Sequence, residues 1–429
     1  MESTLSDRIS PANDEKKAPA PVAKGDRHLW GIYIILVFIG LVELYSASSR
    51  SVRYSPMGVY MPILAPATLL AGGLFIILCL QRTHYRVILK AIPYFALFSV
   101  GLMILTLFVG TNINSATRAI DLKLFTIQPS ELLKLSAAML VAMFAARYQK
   151  EGGGVSKMGI IWSAGVILLF CAMLAPQGLT NTLLLMSISG SMMIIGGFEW
   201  KKIGIVLLVY ISLFGVYLAV TTLFKEEKPK TEQAENRTGV WHDRLANFFD
   251  NSVPKYERKL TSENRQEMLS YMAQAKGGVT GVLPGNSREA SRLPLAHTDY
   301  IYAIVIEELG LVGGILVLVL YLWLLMRAAA IASRCKRTFP ALLVIGMALV
   351  IVYQALFHVC IVTGVFPVSG QPLPLISKGG SSVITTSIAF GVMLSVSRFA
   401  VSNKASRAEI KNEEEALPET ARAENPTQL

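Results

Sequence analysis

The sequence predicts an all-α polytopic membrane protein: ten transmembrane helices, with a large extracytoplasmic loop between helices 7 and 8. Three observations carry this. Of 429 residues, 53% are apolar and only 16% charged, at a mean hydropathy of +0.49, whereas a soluble domain has roughly 25% charged residues. Apolar stretches long enough to cross a bilayer, which takes about 20 residues, fall at 29–48, 60–81, 91–111, 130–147, 158–175, 181–198, 202–224, 300–326, 339–363 and 381–401. The connection 225–298 is 74 residues long and of mixed charge.

Ten spans put both termini on one side. With the termini inside, the short cytoplasmic connections hold twelve basic residues, Arg82, Arg86, Lys90, Arg147, Lys150, Lys157, Lys201, Lys202, Arg327, Arg334, Lys336 and Arg337. The short external ones hold five, Arg50, Arg53, Arg118, Lys123 and Lys378. Basic residues concentrate in cytoplasmic loops, so this orientation accounts for much of the +11 net charge without invoking nucleic acid. Residues 1–28 are polar and rich in Pro, Ala and Lys, with no apolar core before a small-residue cleavage site. They read as a disordered cytoplasmic tail and not as a signal peptide. Residues 402–429 read as a second such tail, which leaves 29–401 as the membrane domain. Cys79, Cys171, Cys335 and Cys360 form no CxxC pair and no metal spacing, so they are expected to be packing residues.

A loop as long as 225–298 is uncommon unless it works. Short helices are expected near 244–249 and 263–274, followed by the turn-rich run 277–287, so the loop reads as a structured cover. A second irregular run, 363–382, is apolar yet full of Pro and Gly. Such backbone is tolerated at membrane depth only where it is buried in protein or lines an aqueous cavity.

Ionisable residues at spanning helices are costly and therefore functional candidates. Asp299, with His297 and Thr298, stands at the outer entrance of the eighth span, where an Asp is either a helix cap or a base able to take a proton from a hydroxyl. Glu307 and Glu308 follow on the same helix. At about 100° per residue, Glu307 falls roughly 80° from Asp299 and Glu308 nearly opposite, so they are expected to serve packing or activation. Arg118 lies in the external connection before the fourth span, and Glu131 and Lys134 lie i, i+3 at the start of that span. The pair reads as a local salt bridge, and the cations as holders of phosphate. Ser377, Lys378, Gly379, Gly380 and Ser381 precede the tenth span, where free N–H groups at a helix start favour anions. His358 and Gln354, inside the ninth span, read as satisfied core groups.

These motifs taken together are specific. Gln128-Pro129-Ser130-Glu131 with Lys134, then His297-Thr298-Asp299-Tyr300-Ile301 with Glu307-Glu308-Leu309-Gly310, then Thr363-Gly364, Pro367, Gly370, Leu373-Pro374 and Ser377 with Gly379-Gly380-Ser381-Ser382 occur in order. The set strongly resembles the SEDS family of bacterial cell-wall proteins, the FtsW and RodA type, from the first span to the tenth. The resemblance implies a peptidoglycan glycosyltransferase that polymerises lipid II on the outer face of the cytoplasmic (inner) membrane. It implies that Asp299 is the residue on which activity depends, either as the base or as the holder of a divalent cation such as Mg or Mn. Arg118, Lys134 and Lys378 would stabilise the leaving pyrophosphate, with Glu131 positioning Lys134. No organic cofactor is implied. The implied partner is a class B penicillin-binding protein transpeptidase, touching the eighth and ninth spans and the large loop, within divisome or elongasome assemblies.

The chain departs from the family pattern in three places. Asn114-Ser115-Ala116-Thr117-Arg118-Ala119 keeps the arginine of an Asn-Gly-Ala-x-Arg-Trp motif but loses its aromatic neighbour. Pro176-Gln177-Gly178 lacks the carboxylate of a Pro-Asp-x-Gly-Thr motif, and Lys378 stands where the family has Tyr. The Ser381-Ser382 ending and the charged tails look more like the division type, FtsW, than the elongation type. Two rival readings remain: a lipid II flippase or other transporter, which would want charge near the membrane midplane, and a scaffold that only recruits the transpeptidase.

Overall fold

The computed structural model describes residues 25–48, 61–109, 111–112, 117–121, 126–150, 154–223, 248, 261, 264–293, 297–335 and 337–415. Among them, ten long helices stand where the apolar stretches predict: α1 (Arg27–Ser48), α2 (Met61–Leu80), α3 (Tyr85–Val109), α4 (Pro129–Arg147), α5 (Lys157–Leu174), α6 (Leu179–Ile195), α7 (Trp200–Leu223), α9 (Ile301–Ala332), α10 (Thr338–Val362) and α11 (Gly380–Glu415). Seven are long and apolar enough to cross a membrane, and Pro66–Leu80 and Leu179–Ile195 are shorter apolar helices. The chain is a multi-pass membrane protein. Of the two helices expected in the large loop, one is present as α8 (Arg265–Gly277); the other, near 244–249, lies outside the described residues except for residue 248, and 1–24 of the expected N-terminal tail lies outside them too.

Two departures have local causes. The chain is not purely helical, because β1 (Thr111–Asn112), β2 (Thr117–Asp121) and β3 (Thr126–Ile127) form an antiparallel sheet in the order β1-β2-β3. Thr117, Ile120, Thr126 and Ile127 are β-branched and favour pleated backbone over helix. The last helix also runs past Ser402 to Glu415, into the expected C-terminal tail. Extending an existing helix needs no new nucleus, and the Lys, Ala, Arg and Glu residues of 402–415 are good helix formers.

Helix α4 is central, with fifteen of its nineteen residues buried. It packs against α3, α5, α6 and α10, while α11 packs on α2. At one end of the bundle Asp26 caps α1 by accepting from the N–H groups of His28 (2.9 Å) and Leu29 (3.2 Å). The same carboxylate accepts from Arg327 Nε at 3.0 and 2.9 Å, and the Asp26 N–H donates to Ser397 Oγ at 3.2 Å. The start of α1 is thereby joined to α9 at Arg327 and to α11 at Ser397. The opposite end therefore collects the end of α1 and the starts of α4, α6, α9 and α11, and it is there that the sequence places its ionisable residues.

Helix α9 is broken at Gly310, whose φ of 73° and ψ of −176° are not helical. A break at this point strands the carbonyls of Glu307 and Glu308 and the N–H groups of Leu311 and Val312, which would have bonded to each other i to i+4. The glycine-rich run after α8 takes both halves. Val282 N–H donates to the Glu307 carbonyl at 3.0 Å and Leu283 N–H to the Glu308 carbonyl at 2.8 Å. Leu311 N–H donates to the Gly278 carbonyl at 3.0 Å and Val312 N–H to that of Val279 at 3.4 Å. The approach is backbone on backbone: a Cβ on Gly281 would lie 2.2 Å from the Glu308 carbonyl oxygen, and one on Gly310 would lie 2.2 Å from that of Val279.

The break also marks a change of surroundings. Every residue from Ile301 to Glu308 is buried, whereas Leu311, Val312, Ile315 and Leu316 beyond it are exposed apolar side chains suited to lipid. The stretch 311–332 is by itself about 33 Å long, enough to span the hydrocarbon core. Glu307 and Glu308 therefore lie above the lipid-facing part of the helix.

Two substitutions separate the elements of this clamp. Gly278 adopts φ +54 with open space around it, so Gly278→Ala is expected to cost about 1–2 kcal/mol of strain. Gly281→Ala adds a backbone collision and is expected to cost about 3 kcal/mol or more. Thermal unfolding of the purified variants in detergent measures both, and equal losses would contradict the clamp.

Candidate active site

Helix α4 opens with Pro129 in its first turn, where the missing N–H is not needed. This start carries Glu131 and, one turn on, Lys134. The Lys134 side chain is completely buried, and its Nζ donates to Glu131 Oε1 at 2.8 Å and to Asn181 Oδ1 at 3.3 Å. Asn181 sits in the first turn of α6, and its Oδ1 also accepts from Gln371 Nε2 at 3.1 Å. Gln371 belongs to the irregular run after α10, which is fastened twice more. His358 Nδ1 lies 2.6 Å from the Gln371 carbonyl, and Gln354 Nε2 donates to the Pro372 carbonyl at 3.3 Å. Gln354 and the Nδ1 of His358 are thus paired as expected, and what they pair with is the backbone of this run; the buried Nε2 of His358 has no partner among the described residues.

The residue before Gln371 meets the carboxylate singled out by the sequence. A Cβ built on Gly370 would lie 2.9 Å from Asp299 Oδ2 and 3.3 Å from its Cγ. The Asp299 carboxyl therefore rests on bare backbone. The N-cap position of α9 is held by Tyr300, one residue after Asp299. Asp299 lies in the turn before the helix, so the wheel angles drawn from it to Glu307 and Glu308 do not apply.

The turn itself is held from the other side. Lys378 N–H donates to the His297 carbonyl and the Ser377 hydroxyl to the Thr298 carbonyl, both at 2.8 Å. Ser377 Oγ in turn accepts from Leu373 N–H at 2.7 Å, and Tyr321 donates to the Pro374 carbonyl at 2.5 Å. Gly379, Gly380 and Ser381 then lead into α11, whose first N–H groups lack intrahelical acceptors. The Lys378 side chain is exposed. Burial first, and then the charge of Lys378, hold His297 below its ordinary pKa, so its imidazole is neutral at pH 7.

The expected residues thus divide into three layers. Asp299, His297, Thr298, Ser377, Lys378, Gly379, Gly380 and Ser381 are brought together. Glu131 and Lys134 stand behind them as a buried support, linked through Asn181 and Gln371, and Lys134 is not a surface cation. Glu307 and Glu308 belong to the glycine-rich clamp. Glu307 accepts from the Ser287 hydroxyl at 2.5 Å and from the N–H groups of Arg288 (3.1 Å) and Glu289 (3.4 Å). Glu308 accepts from the Ser46 hydroxyl and, at 3.2 Å, from Gly285 N–H. Both are bound to the same loop, and Glu308 reaches α1 as well, through Ser46. Arg118 lies on β2, which packs on α4, and its side chain is outside the described residues.

Asn181 and Gln371 were missed by the sequence reading. The available signal was a lone Asn in the first turn of an apolar span. The two residues also edge a cavity of about 280 Å³ between α6 and α10, walled by Leu183, Phe357, Ile361 and Phe366. Leu183 and Phe366 are exposed, so the cavity opens at the surface between apolar side chains. A half-buried carboxylate, a cation and a helix N-terminus beside an apolar opening suit a substrate with a lipid tail and a charged, hydroxylated head. Among the described residues, no three His, Cys, Asp or Glu side chains converge as a metal site.

The buried pair allows a double test. Removing one partner of a buried ion pair costs about 3–5 kcal/mol, while replacing both can be nearly neutral. Lys134→Met alone is expected to lower stability by that amount, and Glu131→Gln with Lys134→Met to recover most of it, read by thermal unfolding. Separately, Lys378→Gln is expected to raise the His297 pKa, followed by NMR titration of the ring; an unchanged value would contradict the coupling.

Comparison with known proteins gives one result. The cell cycle protein family FTSW_RODA_SPOVE matches residues 26–402. A probable peptidoglycan glycosyltransferase FtsW of Aliivibrio salmonicida is 28% identical over 421 residues, covering 95% of this chain and 97% of the relative. The peptidoglycan glycosyltransferase MrdB of Escherichia coli is 28% identical over 367 residues, covering 84% and 90%. The two resemblances are of equal identity, so similarity does not separate them. A chain of a solved peptidoglycan synthase complex shares the fold with a TM-score of 0.63 at 23% identity, covering 88% of this chain and 98% of that one. The ordered motifs, the site at one end of the helices and the family match agree: this chain belongs to the FtsW/RodA/SpoVE family, the SEDS proteins.

Proposed function

We propose that this protein is a peptidoglycan glycosyltransferase that polymerises lipid II, the undecaprenyl-pyrophosphate-linked disaccharide-pentapeptide, at the outer face of the cytoplasmic membrane. The observation that carries this reading is the Asp299 carboxylate resting on Gly370, at one end of the bundle and beside an apolar opening. In the reaction the acceptor sugar's 4-hydroxyl oxygen attacks the anomeric carbon of the donor. The new C–O bond forms as the bond to pyrophosphate breaks, and the hydroxyl proton passes to Asp299. Displacement of an α-linked pyrophosphate in one step yields a β-linkage by inversion, for which a single base suffices.

The other residues prepare this step. Lys378 and the N-terminal N–H groups of α11 are placed to stabilise charge on the departing pyrophosphate, with Arg118 contributing from β2. Glu131 and Lys134 act through Asn181 and Gln371 to seat Gly370 under the carboxylate, which makes them positioning residues. A divalent cation would find one protein carboxylate, Asp299, with the pyrophosphate oxygens completing its shell, a donor set that suits magnesium. When bound it would supply Lewis-acid stabilisation of the leaving group.

The same reading has ten spans, both termini in the cytoplasm, the 225–298 loop outside and a class B penicillin-binding protein as the crosslinking partner. The solved complex with this fold, in which polymerization and crosslinking are coordinated, supports the last of these. The synthesis serves division or elongation, and the charged tails favour division. A flippase is disfavoured, since Glu307 and Glu308, which that reading needed near the midplane, are bound to the external loop.

Two variants test the site in a polymerisation assay with detergent-solubilised lipid II and the partner present. Asp299→Asn is expected to lower glycan synthesis by about 10²–10⁴-fold. Gly370→Ala is expected to lower it while leaving the unfolding temperature unchanged, because only the flexible carboxyl end must move. Normal polymer from Asp299→Asn would remove the base assignment, and no polymer from the wild type beside an active control would remove the enzyme.

A further inference from the structure

We propose that a groove between α3 and α4, at the end of the bundle opposite Asp299, binds an anionic glycerophospholipid, with its phosphate between Lys90 and Arg147 and an acyl chain running inward. The groove has a volume of about 500 Å³ and is lined by Leu89, Lys90, Pro93, Met143, Ala146 and Arg147 over a floor of Phe339. Both cations are exposed, and among the described residues neither has an ion-pair partner.

The order of residues along the two helices makes the groove amphiphilic. Lys90 lies near the start of α3 and Arg147 is the last residue of α4, so both stand at its mouth. Pro93 on α3 and Met143 on α4 lie about one turn farther in. Charge outside and apolar lining within match a phospholipid, whereas a soluble anion would use only the mouth. Pro93 has no N–H to give the Leu89 carbonyl, which leaves an acceptor without its usual helical partner in the groove wall.

The walls are fixed to one another. The Tyr85 and Phe339 rings at the starts of α3 and α10 have centroids 6.5 Å apart. The Thr338 hydroxyl donates to Gln149 just beyond α4. Arg86, four residues before Lys90, stands on the same face of α3 and adds to the positive field. Basic recesses between helices at the cytoplasmic end are suited to anionic lipid head groups. Nothing in glycan polymerisation requires a site here, so this inference shares with the proposed function only the orientation of the chain.

Native mass spectrometry of the full-length protein, titrated with phosphatidylglycerol or phosphatidylethanolamine of the same acyl chains, tests it. Wild type is expected to retain phosphatidylglycerol preferentially. Lys90→Ala with Arg147→Ala is expected to weaken that retention about thirtyfold, and Lys157→Ala with Lys202→Ala, which removes as much charge outside the groove, to leave it unchanged. Leu89→Trp keeps both charges and fills the groove, so it too is expected to lose the lipid, which covers the case of a double variant that fails to fold. Equal retention of the two lipids by wild type, equal loss in the control variant, or undiminished binding by Leu89→Trp would each overturn the proposal.

Discussion

A helix interrupted in mid-course leaves two carbonyls and two N–H groups that would have bonded to each other, and burying them unpaired costs several kcal/mol. At Gly310 the four are paired instead with the glycine-rich run 278–283, carbonyl for N–H on both sides of the break. The remaining arrangement at this end of the molecule follows from that exchange. It ties the large loop to α9 by backbone, and it ends the lipid-facing part of α9 at Leu311. It also holds 301–308 as a separate buried segment with the Asp299 turn at its head.

The carboxylates of Glu307 and Glu308 reinforce the same junction. They accept hydrogen bonds from Ser287, from the N–H groups of Gly285, Arg288 and Glu289, and from Ser46 at the end of α1. On the far side, Ser377 and Lys378 hold the carbonyls of Thr298 and His297. Asp299 is thus fixed from both directions, and the Glu131–Lys134–Asn181–Gln371 chain sets the height of Gly370 beneath it. Such preorganisation matters for general-base catalysis, in which the reacting hydroxyl must meet the carboxylate at hydrogen-bond distance.

Much of this is legible in the amino-acid order. The ten apolar stretches foretell the ten helices to within a few residues in most cases, because bilayer thickness imposes a length that local sequence must meet. Asp299, Ser377 and Lys378 could be nominated because charge and glycine are conspicuous beside apolar spans. The helical wheel drawn from Asp299 to Glu307 and Glu308 does not apply for a definite reason: it assumed that Asp299 is part of the helix, whereas the helix begins at Ile301 with Tyr300 as its N-cap. Lys134 was read as a headgroup cation because its partner Asn181 is 47 residues away, a long-range pairing that no local pattern discloses. The short sheet escaped notice because strands of two to five residues are below the reach of periodicity.

The most direct test of this account is hydrogen exchange, resolved to single amides, at Val282, Leu283, Leu311 and Val312 in the full-length protein in lipid nanodiscs. If the loop completes the broken helix, all four are protected as strongly as amides in the middle of α4, and Gly281→Ala exposes the four together. Rapid exchange at Val282 and Leu283 in the wild type would contradict it, since the loop would then be only resting on α9 and could not be what holds the Asp299 turn in place.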